Sequence, residues 1–327
     1  MLWSLLIVKR GSINFALLYC LSCGLLLIVF LFLSIFQAIR TRRNRIFIGI
    51  DYSGGKGSIV QLRFKKGLLI EHWSSFDASE MANLLAKLMS HKCVFLIACC
   101  SNNNLLLKKI DLPRDIPVKK ISALIEYEIS YLFPWLDESW IRSTPYEEPR
   151  RGEEDYSYQI AFLKQQEFMA QVDLFQDLGF FPQYYEMRSI AVHRCLRDLV
   201  CDEAMILLLD YQGKGVCITA FQGESLIASR YSDFDHLFYL KDAVSELSSI
   251  VGSAVSDVLI YGHSLPDDAI RQLFIWEMIE AGALHSFVRL WTASEICLKY
   301  GIEAFASETE AAMILPALGA ALGGENE

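Results

Sequence analysis

The sequence predicts an α/β protein with one membrane-spanning helix at its N-terminus, followed by two related halves and an inserted α/β module. Three observations predict this architecture. Residues 12–39 contain no charged residue, strand-like and helix-like apolar patterns alternate after residue 46, and one strand–turn pattern occurs twice. The 327-residue chain is 53% apolar and 21% charged, which excludes disorder for most of its length.

The uncharged stretch 12–39 is long enough to cross a bilayer, for which about 20 apolar residues suffice. A cleaved signal peptide has an apolar region of only about 7–15 residues and a small-residue cleavage site, which this stretch lacks. Residues 1–11 are then an N-terminal flank. Basic residues favour the cytoplasmic side of a span, and more of them follow it (Arg40, Arg42, Arg43 and Arg45) than precede it (Lys9 and Arg10). We therefore expect a single-pass membrane protein with residues 46 onward in the cytoplasm, provided that translation starts at Met1.

The distribution of charge excludes a nucleic-acid-binding function. Six of the 30 Lys and Arg residues lie in the first 45 positions, which contain no Asp or Glu. The remaining 24 basic residues stand against 39 acidic ones, a balance of −15. A body this acidic is repelled by phosphate backbones.

Residues 46–104 read as the start of the first half. An apolar strand at 46–51 and an alternating strand at 58–64 predict a hairpin. A helix at 79–89 and an apolar strand at 94–99 follow. We assign residues 188–204 to the same half, after the insertion.

Residues 105–187 predict a small inserted α/β module. Its helix at 118–132 has one apolar face and ends before Pro134, because proline cannot continue a helix. We expect that face to cover the module's own sheet, and docking of a partner is the alternative. The other predicted elements are strands at 105–112, 139–146, 156–164 and 182–187 and a helix at 166–178.

The third block, residues 205–327, begins by repeating the opening of the first. An apolar strand ends at Asp210-Tyr211 and is followed by a Gly/Lys turn and a second strand. In the first block a strand ends in the same way at Asp51-Tyr52 and is followed by the same kind of turn and strand. A repeat at this distance indicates two related halves that face each other across a cleft.

The two turns could bind a phosphate chain from opposite sides, because glycine lets backbone N–H groups approach closely. An Asp at each strand end could then hold a hydrated Mg²⁺ through water. A single turn of this kind is typical of any tight hairpin, so the repeat is what favours a site. The candidate residues are Asp51, Ser53, Gly54, Gly55, Lys56, Asp210, Gln212, Gly213 and Lys214, with Asp51 and Asp210 as the metal pair.

Several short motifs follow one another in a recognisable order. They are Ile48-Gly49-Ile50-Asp51, Leu112-Pro113-Arg114-Asp115-Ile116, Glu126-Tyr127-Glu128, Phe133-Pro134, Asp177-Leu178-Gly179-Phe180-Phe181-Pro182, Leu207 to Asp210 and Leu318-Gly319-Ala320-Ala321-Leu322. In this order and spacing they resemble the PilM family of type IV pilus assembly proteins, over most of residues 46–230 and again at the C-terminus. The resemblance implies a two-domain fold similar to actin and FtsA, with the inserted module in place of one actin subdomain. It also implies binding of ATP, and a role as a cytoplasmic protein of the pilus inner-membrane platform that docks the short cytoplasmic tail of a PilN-like bitopic membrane protein.

The sequence departs from the family at the adenosine side of the cleft. The second half is shorter between Arg230 and Ala243 than the resemblance implies, and Tyr261-Gly262-His263-Ser264 replaces a Gly-Gly loop. Without base-binding walls nucleotide affinity falls, so we expect a scaffold with a degenerate cleft. Two alternatives stay open. One is an active Mg-ATP-dependent ATPase or kinase, for which no catalytic group can be named, and the other is a cytoplasmic component of a type II secretion platform.

Overall fold

The computed structural model describes residues 45–324, apart from residues 54, 65–67, 90–93, 101–105, 114, 135, 137–139, 143–145, 149–154, 202–203, 213–214, 234–243, 246–254, 264, 266–267 and 281–283. No helix within this described part of the chain is both long and apolar enough to cross a membrane. The predicted span, residues 12–39, lies outside it and stays a prediction.

The first half contains a five-stranded sheet built around a hairpin. Its strands, in spatial order, are β3 (Leu68–Asp77), β2 (Lys56–Phe64), β1 (Ile46–Ser53), β4 (Val94–Cys100) and β9 (Tyr184–Met187). Strands β1 to β3 are antiparallel neighbours, whereas β4 runs parallel to β1 and β9 parallel to β4. The predicted hairpin is present, and β3 extends it by a strand that the sequence pattern did not predict.

The second half contains a sheet of the same design. Its strands, in spatial order, are β12 (Ser225–Asp233), β11 (Gly215–Gln222), β10 (Met205–Tyr211), β13 (Val255–Gly262) and β14 (Leu284–Trp291). Two antiparallel pairings are again followed by two parallel ones. Strand β10 therefore occupies the place in this sheet that β1 occupies in the first.

The inserted module has its own sheet, on which one helix packs. The strands are β5 (Leu106–Pro113), β8 (Asp155–Lys164), β6 (Trp140–Arg142) and β7 (Tyr146–Glu148), with β6 and β7 both paired to β8. Helix α2 (Val118–Leu132) buries Ile121, Ile125 and Ile129 against this sheet. The spacing of three and four residues places these side chains on one helix face.

The module ends earlier than residue 187, where the sequence analysis placed its boundary. Strand β9 pairs with β4 and so belongs to the first sheet. Helix α3 (Gln165–Asp177) buries Phe175 in the core of the first half. The module's own sheet is therefore complete at Lys164, and the chain returns to the first half at α3.

The two sheets and their helices form stacked layers. Helices α1 (Ala78–Leu88) and α3 cover the outer face of the first sheet, and α5 (Asp268–Glu280) covers that of the second. Helices α4 (Arg188–Arg197) and α7 (Glu308–Gly323) pack in the core between the two sheets, with α6 (Ala293–Lys299) beside α7. This middle layer is where side chains of both halves meet.

Helix α7 approaches β1 and α4 closely because each contact contains a glycine: Gly49 of β1 faces the helix, and Gly319 lies in the helix. A Cβ added at Gly49 of β1 would stand 1.8 Å from the carbonyl oxygen of Ala317. A Cβ added at Gly319 would stand 1.8 Å from the carbonyl oxygen of Ala191 in α4. Contacts this short with backbone atoms are not possible, so the glycines set the spacing of the middle layer.

Candidate functional site

The two aspartates of the repeat lie on the facing inner sides of the two sheets. Successive side chains of a strand point to opposite faces. In β1, Ile46, Ile48 and Ile50 point to the outer core, which leaves Asp51 on the inner face. In β10, Leu207 and Leu209 point to the outer core, so Asp210 is also directed inward.

A buried arginine joins these two carboxylates. Arg188, the first residue of α4, donates from Nη1 to Asp51 Oδ2 at 2.5 Å. It donates from Nε to Asp210 Oδ2 at 2.9 Å and from Nη2 to Asp210 Oδ1 at 3.1 Å. All three side chains are about 1% exposed. One guanidinium therefore makes a bidentate pair with the second half and a single bond to the first.

Two further polar side chains complete the cluster. Gln212 donates from Nε2 to Asp210 Oδ2 at 2.5 Å. His263 Nε2 lies 3.4 Å from Asp51 Oδ2 and 3.2 Å from Arg188 Nη1. Within the described residues, Asp51 Oδ1 and His263 Nδ1 are buried with no hydrogen-bond partner. The attraction between the Arg188 guanidinium and the two carboxylates therefore holds this cluster together, although two of its buried polar atoms have no hydrogen bond.

The cluster shifts the pKa of Asp51 and the pKa of Arg188 in the directions that its charges dictate. Burial alone would raise the pKa of Asp51, but the Arg188 charge and the hydrogen bond to His263 outweigh it, and the pKa is lowered. Burial alone would lower the pKa of Arg188, but Asp210 and Asp51 outweigh it, and the pKa is raised. Both groups are thus held in their charged forms.

The other predicted site residues lie in or near the two hairpin turns. Gly55 and Lys56 are exposed at the β1–β2 turn, Gly55 with φ of 88°, and the backbone of Ser53 lies opposite Lys56. Gly54, Gly213 and Lys214 lie outside the described residues. Of the predicted set, the structure brings Asp51, Asp210 and Gln212 together.

A Mg²⁺ held between Asp51 and Asp210 does not fit the residues present. Mg²⁺ requires about six oxygen ligands in near-octahedral geometry and usually keeps several of its waters. Here three of the four carboxylate oxygens already accept from Arg188, and the three side chains are about 1% exposed. In the described part of the chain no group of three His, Cys, Asp or Glu side chains could hold a metal ion.

Sequence reasoning missed Arg188 and the role of His263. An arginine at the start of a helix has no local signal of burial, because most arginines are exposed. The available sequence signal was its place just before the apolar run Ile190-Ala191-Val192, of which Ala191 and Val192 are buried in the structure.

A cavity of about 700 Å³ lies where the inserted module meets the two halves. Strands β6 and β8 and helix α3 form one wall, and β9 and α4 form another. The third wall is the β11–β12 hairpin of the second half. The apolar lining of the cavity includes Ile141, Leu163, Phe168, Ile190 and Leu226.

The charged side chains around this cavity are already paired. Arg194 donates from Nη1 to Glu186 Oε2 at 2.8 Å and to the carbonyl of Gly319 at 2.6 Å. Arg142 lies 2.5 Å from Glu126, and Arg197 lies 3.6 Å from Glu224. Since each of these cations already has a carboxylate partner and much of the lining is apolar, the cavity suits an apolar chain segment better than a phosphate chain.

His193, at the cavity wall, should make the stability of the fold depend on pH. Its ring stacks on Phe221 with centroids 4.0 Å apart, and burial lowers the pKa of His193 to about 4. In the unfolded chain a histidine titrates near 6.5, so as the pH falls from about 6.5 towards 4 protons bind the unfolded state first. We expect the free energy of unfolding to fall by about 3 kcal/mol over this window. In His193→Phe, denaturation at a series of pH values should show a much smaller fall in the free energy of unfolding over this window. Equal pH slopes in the two proteins would contradict the attribution of this fall to His193.

Comparison with known proteins identifies the fold. No protein-family profile and no curated protein matches the sequence. Among solved structures, a chain of one described as "PilM-PilN type IV pilus biogenesis complex" superposes with a TM-score of 0.59 and 14% identity, over 85% of this chain and 97% of that chain. At this identity the likeness concerns the fold alone, and the predicted PilM-type fold is confirmed.

Two other solved structures are more distant. The cytoplasmic domain of EpsL, an inner-membrane component of the type II secretion system of Vibrio cholerae, has a TM-score of 0.45 and 10% identity, over 72% of this chain and 95% of that chain. A Bacteroides thetaiotaomicron protein of unknown function with an actin-like ATPase fold has a TM-score of 0.45 and 7% identity, over 80% of this chain and 97% of that chain.

Proposed function

We propose that this chain, which has the PilM-type fold, is an inner-membrane-associated scaffold of a type IV pilus assembly platform. In this proposal it docks the cytoplasmic tail of a PilN-like bitopic membrane protein in the cavity between the inserted module and the two halves. The observation that carries the proposal is the position of that cavity, beside two edge strands and with an apolar lining.

The strands that border the cavity suit an extended peptide. In the described part of the chain, β9 is the last strand of the first sheet and β6 is the last strand on its side of the module sheet. The outer side of an edge strand presents N–H and C=O groups that an added strand can pair with. The volume of about 700 Å³ is within the usual range of ligand pockets. A peptide could thus pair with an edge strand and place alternate apolar side chains in the cavity.

The predicted membrane anchor would bring the cavity to its partner. If residues 12–39 span the membrane, the segment from residue 39 to residue 46 reaches at most about 24 Å when fully extended. The globular part would then stay close to the cytoplasmic face of the membrane. A short cytoplasmic tail of another inner-membrane protein could reach it there.

The alternatives have less support. An active Mg-ATP-dependent ATPase or kinase requires Asp51, Lys56 and Asp210 to hold Mg-ATP, yet Arg188 lies between the two aspartates. A type II secretion component would share the fold, but its anchor would follow the actin-like part, whereas the predicted span here precedes it.

Purification of the full chain from its own membranes in mild detergent tests the partner. We expect it to retain a bitopic inner-membrane protein with a short cytoplasmic tail, and a synthetic peptide with the sequence of that tail to bind the full chain in a fluorescence anisotropy titration. If no bitopic protein is retained, or if the peptide does not bind, the proposed function is wrong.

Leu163→Asp should weaken binding of that tail peptide by about tenfold or more. Leu163 lines the cavity, and a carboxylate buried against an apolar segment costs more than the roughly 1.4 kcal/mol that corresponds to tenfold. The matched control is Met169→Asp, which adds the same charge on α3 at a side chain that is 37% exposed and is not part of the cavity wall. Equal affinities of the two variants would place the peptide elsewhere.

A further inference from the structure

The position of Arg188 is unusual for a helix terminus. It is the first residue of α4, where the helix dipole disfavours a positive charge and favours an anion. The two carboxylates compensate for this, because both accept hydrogen bonds from its guanidinium. The cation is therefore positioned by Asp51 and Asp210 together, and each comes from a different sheet.

We propose that Arg188 is a built-in cation that takes the place of a bound divalent ion between the two halves, so that the cleft is closed without nucleotide. This inference goes beyond the proposed function and does not depend on which partner docks. It follows from the observation that Arg188 occupies the two carboxylates, Asp51 and Asp210, between which the sequence predicted a Mg²⁺ ion. The carboxylates that the repeat brings together are occupied by a group that belongs to the chain itself.

The guanidinium differs from a bound metal ion in ways that matter for the cleft. It stays charged at every physiological pH, and it cannot dissociate from the protein. Its planar fork contacts Asp210 through Nε and Nη2 and Asp51 through Nη1. The two halves are thereby bridged permanently, whereas an ion delivered with a nucleotide would bridge them only when bound.

The surroundings leave Arg188 little room to withdraw. Ser189, Ala191 and Val192 in the same helix are fully buried. Gly262 of β13 has φ of 119°, and a Cβ there would stand 2.3 Å from the carbonyl oxygen of Tyr211 and 2.9 Å from Asp210 Oδ1. The backbone of β13 at Gly262 thus lies directly against the cluster on the side of the second sheet. Exchange of the guanidinium for a hydrated ion would require α4 to move.

Calorimetry on the wild-type full chain in mild detergent is the first test. We expect no binding of Mg-ATP at concentrations up to about 1 mM, the upper end of common substrate affinities. We also expect the unfolding temperature to be unchanged by MgCl₂ when compared with NaCl of equal ionic strength. Binding of Mg-ATP below that concentration, or a rise in unfolding temperature with MgCl₂, would overturn the inference without affecting the docking proposal.

Arg188→Ala is the second test, because it frees the two carboxylates. We expect MgCl₂ to raise the unfolding temperature of this variant by about 2–4 °C, as an ion that binds only the folded state does. The control is Arg194→Ala, a change on the same helix that breaks the pair with Glu186 of β9 and should show no response to MgCl₂. Absence of a response in folded Arg188→Ala would overturn the inference. If that variant does not fold, Arg188→Gln, which keeps part of the length of the side chain without its charge, is measured in the same way.

Discussion

We expect Arg188→Met to lower the free energy of unfolding by about 3–5 kcal/mol, the largest effect expected of any single charge removal among the described residues. Methionine fills much of the same space, so the loss comes from two carboxylates left about 1% exposed without a cation. Chemical denaturation of the full chain, followed by tryptophan fluorescence, measures it.

Two comparisons make this result specific. In Arg188→Met combined with Asp51→Asn and Asp210→Asn the guanidinium and both of its carboxylate partners have been removed, so most of the stability should return. Arg63→Met breaks a pair with Glu71 in which the side chains are 24% and 21% exposed, and should cost less than about 1 kcal/mol. A loss at Arg188 no larger than that at Arg63 would mean that the buried cluster does not form.

Gly319→Ala should cost about 2–3 kcal/mol, although alanine is the better helix former by about 1 kcal/mol. The added Cβ would stand 1.8 Å from the carbonyl oxygen of Ala191, and backbone atoms cannot move aside as a side chain can. Helices α4 and α7 would have to separate, which would also displace Arg188 at the start of α4. The shift in denaturation midpoint measures this cost.

Gly323→Ala is the matched control for this change. It lies in the same helix, and its added Cβ would meet the end of the Arg194 side chain, at 2.5 Å from Nη1. A side-chain end can shift at lower cost than backbone, so we expect a smaller loss. Equal losses in the two variants would show that helix packing at Gly319 is looser than the structure has it.

The convergence of Asp51 and Asp210 was predictable from the sequence. The repeated strand–turn pattern indicated two equivalent strands, and the two-residue period of a strand fixes which side chains share a face. Both inferences are local or compare one part of the sequence with another. They require no knowledge of what packs against the strands.

The arginine between them was not predictable in the same way. Its burial results from the packing of α4 between two sheets, and that arrangement depends on contacts far apart in the chain. Likewise, the sequence placed residues 182–187 in the inserted module, whereas β9 pairs with β4 across the whole insertion. Strand pairing at long range leaves no signal in local apolar periodicity.

The most direct test of the central claim, that one buried guanidinium joins the two halves, is a pair of double-mutant cycles. The first combines Arg188→Met with Asp51→Asn and the second combines it with Asp210→Asn, each measured by equilibrium denaturation of the full chain. Close, desolvated charge pairs couple by about 1.5 kcal/mol or more. We predict coupling of at least this size in both cycles, one for each half. Coupling below about 0.5 kcal/mol in either cycle, the range of exposed pairs, would contradict the account.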